Sequence, residues 1–301
     1  MDKLRRSPLF YVGDKYKLIE EISKYFPKNI ERFIEPFTGG GTVFLNIDAK
    51  KYLLNDIDHN VVNIHKYLIS QSKNQNEFFN NLIKIIKKFN LSRSFIEDVV
   101  PQDLKKEWKK TYYAKFNKIG YKELKDTYNN SKNKDYLLLY LLLIYGFNRM
   151  LRFNSNNEFN IPVGNVDFNK NVEKALIEYF DFVKNKEIAI FKKDFSEFLM
   201  ELNYKEGDFI YLDPPYLISF SEYNKLWNES NEKKLLGLLD ELNNKGVKFA
   251  ISNIILHKGK QNKIFMDWMK KYKVYKIKSN YISYHDNGIK KIEEVLVVNY
   301  D

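Results

Sequence analysis

Apolar residues recur along this chain in short runs, too brief for helices and bounded by turn residues, that cluster at its two ends. Near the start they are 32–36 (RFIEP) and 52–55 (YLLN). Further on come 187–191 (EIAIF), 208–213 (DFIYLD), 247–252 (VKFAIS), 274–278 (VYKIK) and 294–299 (EVLVVN). Their length and their β-branched and aromatic content predict strands. Between several of them the apolar spacing changes to a helical one, at 14–25, 231–244 and 261–271. Strands alternating with helices predict an α/β sheet with helices on both faces.

The stretch 67–172 breaks the alternation. It is mostly helical in pattern and rich in Lys, Asn and Tyr, and it reads as an insertion into a catalytic domain made of 1–66 and 173–301. Near its end, 146–164 (GFNRMLRFNSNNEFNIPVG) has two alternating arms around four turn-forming residues, which predicts a β-hairpin or an extended loop. The longest apolar run, 136–147 (YLLLYLLLIYGF), falls well short of the ~20 residues that span a bilayer and predicts a buried helix.

Composition narrows the chemistry. The 301 residues include no Cys, which excludes disulfides, thiolate zinc sites and cysteine nucleophiles and fits a reducing compartment. The opening MDKLRRSPLF has no apolar core of the signal-peptide kind, so nothing in it directs export. A net charge of +11 favours a polyanion, nucleic acid first, although a general Lys and Asn enrichment explains the charge equally well until a site supports it. His59, His65, His257 and His285 have no metal-ligand spacing, and no metal is expected.

Two motifs carry the chemistry. In 33–45 (FIEPFTGGGTVFL) a strand enters a glycine turn, with a helix expected after it; glycines there let a ligand approach the backbone. The third glycine of a dinucleotide fingerprint and the Gly-Lys-Ser/Thr of a P-loop are both missing, which disfavours a pyrophosphate. Asp56 closes the next strand where a ribose-binding carboxylate is expected, though strand-end and capping Asp residues are common. Together these suit a nucleoside without a diphosphate, of which S-adenosylmethionine is the common cofactor.

The second motif, 208–216 (DFIYLDPPY), ends a strand in an acid, two prolines and an aromatic ring. The prolines remove backbone donors, leaving carbonyls and the Asp213 carboxylate as acceptors for an exocyclic amine. Holding both N–H bonds of a nucleobase amine would aim its lone pair at an electrophile, and Tyr216 offers a face for an extruded base. Ser252 and Asn253 fit the target-base side or a plain strand-end turn equally well.

In this order the motifs resemble the Dam-type DNA adenine-N6 methyltransferases over nearly the whole chain. The resemblance covers 8–15 (PLFYVGDK), 35–41 (EPFTGGG), Asn55-Asp56, 193–195 (KDF) and Asp213-Pro-Pro-Tyr. It implies a Rossmann-like S-adenosylmethionine-dependent methyltransferase sheet with a mainly helical target-recognition domain inserted at 67–172. It further implies cofactor contacts at Tyr11, Lys15, Phe37, Asp56, Asp194 and Asp213 and catalysis by Asp213, Pro214 and Tyr216. The segment 146–164 looks like the family's DNA-contacting hairpin, with Asn148, Arg149, Arg152 and Asn154 suited to base edges and phosphates of double-stranded DNA. Family members that modify GATC commonly carry Lys where Phe10 stands and Gly where Asp14 stands, so the recognition sequence stays open. The resemblance implies a cytoplasmic bacterial or phage-encoded enzyme, most often paired with a cognate restriction endonuclease. Transfer to cytosine N4 is the alternative, and RNA or protein-amide methylation, a dehydrogenase and a binding-only module are more distant ones.

Overall fold

The computed structural model describes residues 4–219, 227–278 and 292–301; His285 lies outside them. Among the described residues the strands are β1 (Arg32–Glu35), β2 (Lys51–Asn55), β3 (Glu187–Phe191), β4 (Asp208–Leu212), β5 (Lys248–His257), β6 (Lys260–Gln261), β7 (Lys273–Ile277) and β8 (Glu293–Val298). The α-helices are α1 (Ile19–Ile22), α2 (His59–Gln71), α3 (Gln75–Lys88), α4 (Gln102–Glu107), α5 (Tyr112–Asn130), α6 (Tyr136–Tyr145), α7 (Lys170–Val183), α8 (Phe195–Glu201), α9 (Glu229–Asn244) and α10 (Lys263–Trp268).

The chain divides into two compact units. One comprises Met1–Asp14, Gly39–Leu45 and Asp58–Lys186; the other comprises Lys15–Thr38, Asn46–Ile57 and Glu187–Asp301. The second unit holds a sheet in the order β3-β2-β1-β4-β5-β8-β7, with β6 attached to β5. Neighbours from β3 to β5 are parallel, and β8 runs antiparallel to both β5 and β7. Every predicted strand is present; β4 is buried along its whole length and β8 nearly so, whereas β3 is half-buried and β7 mostly exposed. Ile34, Ile210, Leu212, Phe249 and Ile251 pack with Leu235 and Leu239 of α9 and with Phe265 and Trp268 of α10. At the amino ends of β1 and β4 the Arg32 Nε donates to Asp208 at 2.7 Å, fixing their register.

Four expectations change. The helix expected at 14–25 contracts to α1 and a 3₁₀ turn at Ser23–Tyr25, ended where Phe26 becomes extended before Pro27. The helix expected after the glycine turn is only a 3₁₀ turn, Phe44–Asn46. Val43, Phe44, Leu45 and Ile47 are all buried, so the segment has no polar face to present to water as a surface helix would. The helix at 261–271 starts later, because Asn262 caps α10 through the Phe265 N–H while Gln261 pairs as β6. Finally, β5 continues to His257, so Ser252 and Asn253 lie within a strand rather than at its end.

In the first unit α6 is buried on every side from Leu137 to Tyr145, as an apolar run should be. The Asp135 carboxylate caps it by accepting from the Leu137 and Leu138 N–H groups, and Gly146 stops it. No helix among the described residues is long and apolar enough to cross a membrane. After α6 the segment 146–164 folds back on itself through antiparallel bridges at Gly146↔Val163 and Phe153↔Phe159, a loop with hairpin pairing rather than continuous strands. Its neck is tight: a Cβ on Gly164 would stand 2.7 Å from the Gly146 carbonyl oxygen, so only glycine fits there.

Candidate active site

In the sheet unit the chain order reverses between β1 and β4, since β2 and β3 lie to one side and β5 to the other. Crevices at the carboxyl ends of strands form at such a switch point. Asp213 follows β4 directly and is gripped from a distant part of the chain. Lys15 Nζ stands 2.5 Å from its Oδ2, and the Tyr216 hydroxyl donates to its Oδ1 at 2.8 Å. The Lys15 side chain is only 3% exposed and that of Asp213 20%. The contact joins a buried amine to the carboxylate and holds Asp213 in one place. Lys15 Nζ is also 5.2 Å from the centre of the Tyr216 ring, a cation–π distance.

Pro214 is buried beneath the turn. Below it the fully buried Tyr211 shares a 2.9 Å hydrogen bond with Ser252 Oγ. Burial, and then the negative charge of Asp213, push that phenol well above its ordinary pKa, so it stays protonated. Asn253 donates instead to Glu232, whose carboxylate also accepts from Asn262 and Trp227. Ser252 and Asn253 are thus buried structural ties.

Asn55, at the end of β2 and 1% exposed, binds two neighbouring strand ends together. Its Nδ2 donates to the carbonyls of Pro36 (3.1 Å) and Lys193 (3.0 Å), and its Oδ1 accepts from the Lys193 N–H at 2.9 Å. These bonds bring the segment bearing Phe37, the following Asp56 and the segment bearing Asp194 together. Asp194 caps α8, its Oδ1 accepting from the Ser196 N–H at 2.9 Å. Beside it Phe37, Phe195 and Trp227 form an aromatic cluster with ring centres 5.4–5.7 Å apart. An acid on a cap, a second acid after β2 and an aromatic wall suit a nucleoside, and the missing α-helix after the glycine turn removes a pyrophosphate cradle.

The glycine turn and Tyr11 belong to the other unit. A Cβ on Gly41, whose φ is +76°, would meet the Phe44 ring at 2.4 Å, so the turn admits no side chain there. His65, fully buried, props this turn: Nε2 lies 3.0 Å from the Gly39 carbonyl oxygen and Nδ1 3.1 Å from the Tyr179 hydroxyl. A carbonyl can only accept, so Nε2 carries the proton and Nδ1 accepts from Tyr179. Burial lowers the His65 pKa to about 4. Ser7 Oγ donates to the Gly40 carbonyl.

In the loop 146–164 the four sequence-predicted residues are used differently. Asn154 builds the tip, accepting from the N–H groups of Asn156 and Glu158 and donating to the Glu158 carboxylate at 2.7 Å. Arg152 Nε donates to Asn160 Oδ1 across the loop at 2.9 Å. Asn148 and Arg149 both have positive φ, and the Arg149 guanidinium lies 4.1 Å from the centre of the Phe10 ring. Motif reading passed over the structural use of Asn55, Ser7 and His65. For Asn55 the signal was its place beside Asp56, whereas nothing local marks His65.

The chain matches the model of the D12 class N6 adenine-specific DNA methyltransferase family over residues 11–282. It is 34% identical over 98% of its length to the type II methyltransferase M.FokI of Planomicrobium okeanokoites, and 34% identical over 99% to the modification methylase StsI of Streptococcus sanguinis. In each case it spans 43% of the relative's own length. The DNA adenine methylase of Escherichia coli K12 is 25% identical, with 98% of this chain and 96% of that one covered.

Proposed function

This chain belongs to the D12 class of N6 adenine-specific DNA methyltransferases, and from that premise we propose that it transfers a methyl group from S-adenosylmethionine to adenine N6 in duplex DNA. The observation that carries the proposal is the Asp213 carboxylate held by Lys15 and Tyr216 at the carboxyl end of β4. Each carboxylate oxygen has a further lone pair, and the two prolines offer carbonyls without competing N–H donors. Such a turn can accept both N–H bonds of an exocyclic amine. Drawing those hydrogens aside takes the nitrogen lone pair out of conjugation with the ring and makes it nucleophilic.

S-adenosylmethionine, when bound, supplies a methyl group on a positively charged sulfur. Transfer to N6 would leave the sulfur as a neutral thioether and N6 with one proton to lose, which passes to solvent water. Asp213 stabilises the positive charge growing on N6, while Lys15 keeps the carboxylate oriented. Phe37, Asp56, Asp194 and Lys15, with Tyr11, are the residues we assign to holding the cofactor. Tyr216 offers its ring to the extruded base, worth ~1–3 kcal/mol against a flipping cost of a few kcal/mol.

The segment 67–172 is assigned to target recognition, with Asn148, Arg149, Arg152 and Asn154 in the DNA-contacting loop and the +11 charge drawing the phosphates. Pairing with a cognate endonuclease in a restriction-modification system is part of the same reading. Transfer to cytosine N4 is not supported, because the matched family is adenine-specific. Incubating the protein with duplex DNA and labelled S-adenosylmethionine, then digesting to nucleosides, should give N6-methyladenine. Label in N4-methylcytosine, or in RNA but not DNA, defeats the reading.

A further inference from the structure

The loop 146–164 and the amino-terminal segment meet in the same unit at one aromatic ring. Phe10 has a φ of +48°, and Asn148 and Arg149 have φ values of +53° and +51°. Left-handed backbone at a bulky residue is strained and persists where the surroundings enforce it, which is most often at functional sites. The strain here places the Arg149 guanidinium 4.1 Å and the Arg6 guanidinium 4.8 Å from the Phe10 ring centre. The Phe10 ring itself is buried, and the carbonyl of nearby Pro8 accepts from the buried Tyr140 of α6, which braces the segment.

Arg149 stands out by what it lacks. Its backbone N–H bonds the Gly146 carbonyl, but its guanidinium forms no hydrogen bond or ion pair with any described residue. Burial disfavours its charge, Arg6 repels it, and Asp14 and Tyr140 act on it only through their charge fields. A half-buried guanidinium with five unused donors awaits an acceptor from outside the protein. Arg152, by contrast, already donates to Asn160.

We infer that Arg149 reads a guanine of the recognition sequence and that Phe10 is its positioning residue, holding the guanidinium plane in the orientation a base edge requires. A phosphate is satisfied by a flexible cation and does not call for a strained backbone or an aromatic rest. Guanine O6 and N7 form a planar pair of acceptors that a fixed guanidinium meets with two parallel bonds. Ring stacking fixes the plane, and the repulsion between two guanidinium groups sharing one ring is relieved by an electron-rich partner.

This inference rests on the proposed activity, and its test separates the two. DNA methylated by the wild type and by Arg149→Lys, Arg149→Gln, Phe10→Leu and Phe10→Tyr would be sequenced for modified positions, alongside affinity for duplex DNA at several salt concentrations. Arg149→Lys keeps the charge but loses the fork. Selectivity at one guanine position should fall roughly 5- to 150-fold, the equivalent of about 1–3 kcal/mol, with the salt slope unchanged. Arg149→Gln should relax the same position, Phe10→Leu should relax it less, and Phe10→Tyr should restore it. An unchanged motif in Arg149→Lys and Arg149→Gln overturns the inference while leaving the activity standing, as does relaxation at a position that Phe10→Leu does not touch. If the wild type leaves adenine unmodified, the proposed activity itself falls, and the inference with it.

Discussion

The strand-end turn of the sheet unit and the loop 146–164 of the other unit are both rich in polar side chains, yet they satisfy them in opposite ways. At the turn, Asp213 is bound by Lys15, 198 residues away in the chain, and by Tyr216. The loop relies on close neighbours: Asn154 with Glu158 and Arg152 with Asn160, while the Arg149 guanidinium has no hydrogen-bonding partner among the described residues. A group that handles a reacting atom gains from being held before substrate arrives, since orientation is then not lost in the transition state. A group that reads a partner gains from unused donors, since a protein–protein bond would have to break first. On the proposed reading, the contrast is between a site completed by the protein and a surface to be completed by DNA.

The sharpest break of that comparison is Asp213→Ala. Methyl transfer should vanish while DNA affinity stays within a few-fold, because phosphate contacts dominate binding. Turnover above about a tenth of wild type, ~1.4 kcal/mol in barrier, would remove Asp213 from the reaction.

A pH series extends the comparison to the glycine turn, which is also completed internally. His65 titrates near 6.5 when unfolded and at about 4 in the folded protein, so the unfolded chain binds the extra proton between those values. The stability tied to neutral His65 is therefore complete above pH 6.5 and lost as the pH falls towards 4, about 3 kcal/mol in all. Urea unfolding of the wild type and of His65→Gln at pH 7 and pH 4 should show the variant less pH-sensitive by that amount. Equal sensitivity would mean that the ring is not held neutral against Gly39.

The smallest effect belongs to the loop tip. Asn154→Ala removes bonds that are local and exposed, each worth ~1 kcal/mol or less. Unfolding midpoints should barely move, whereas a global loss near 3 kcal/mol would show that the loop supports the core.

Strand positions were legible because a strand's apolar run is a local property: β3 was read to the residue, and β1, β2, β4, β7 and β8 to within one residue at either end. Asp213 and Asp56 stand directly after strands that periodicity locates, whereas Asp194 was marked only by the resemblance of 193–195 and caps a helix that periodicity did not locate. Elements governed by the room left between others were not. The segment after Gly41 has the composition of a helix but packs as a buried 3₁₀ turn, and α1 is cut short before Pro27. Asn154 and Arg152 were marked by residue type as groups for DNA, yet that type suits a turn tip and a cross-loop bond equally well.

What the sequence determined by itself was the strands other than β6, the order of the motifs and the chemistry of an acid followed by two prolines and a ring. These depend on near neighbours, whose spacing the backbone period converts directly into structure. Only the tertiary structure decided that Lys15 would hold Asp213, that Asn55 would tie the strand ends bearing Phe37 and Asp194, that His65 would carry its proton towards Gly39, and that Arg149 would rest on Phe10. Each joins residues far apart in the chain, and such pairings depend on which strands neighbour one another and how much space remains between them, neither of which any local pattern records.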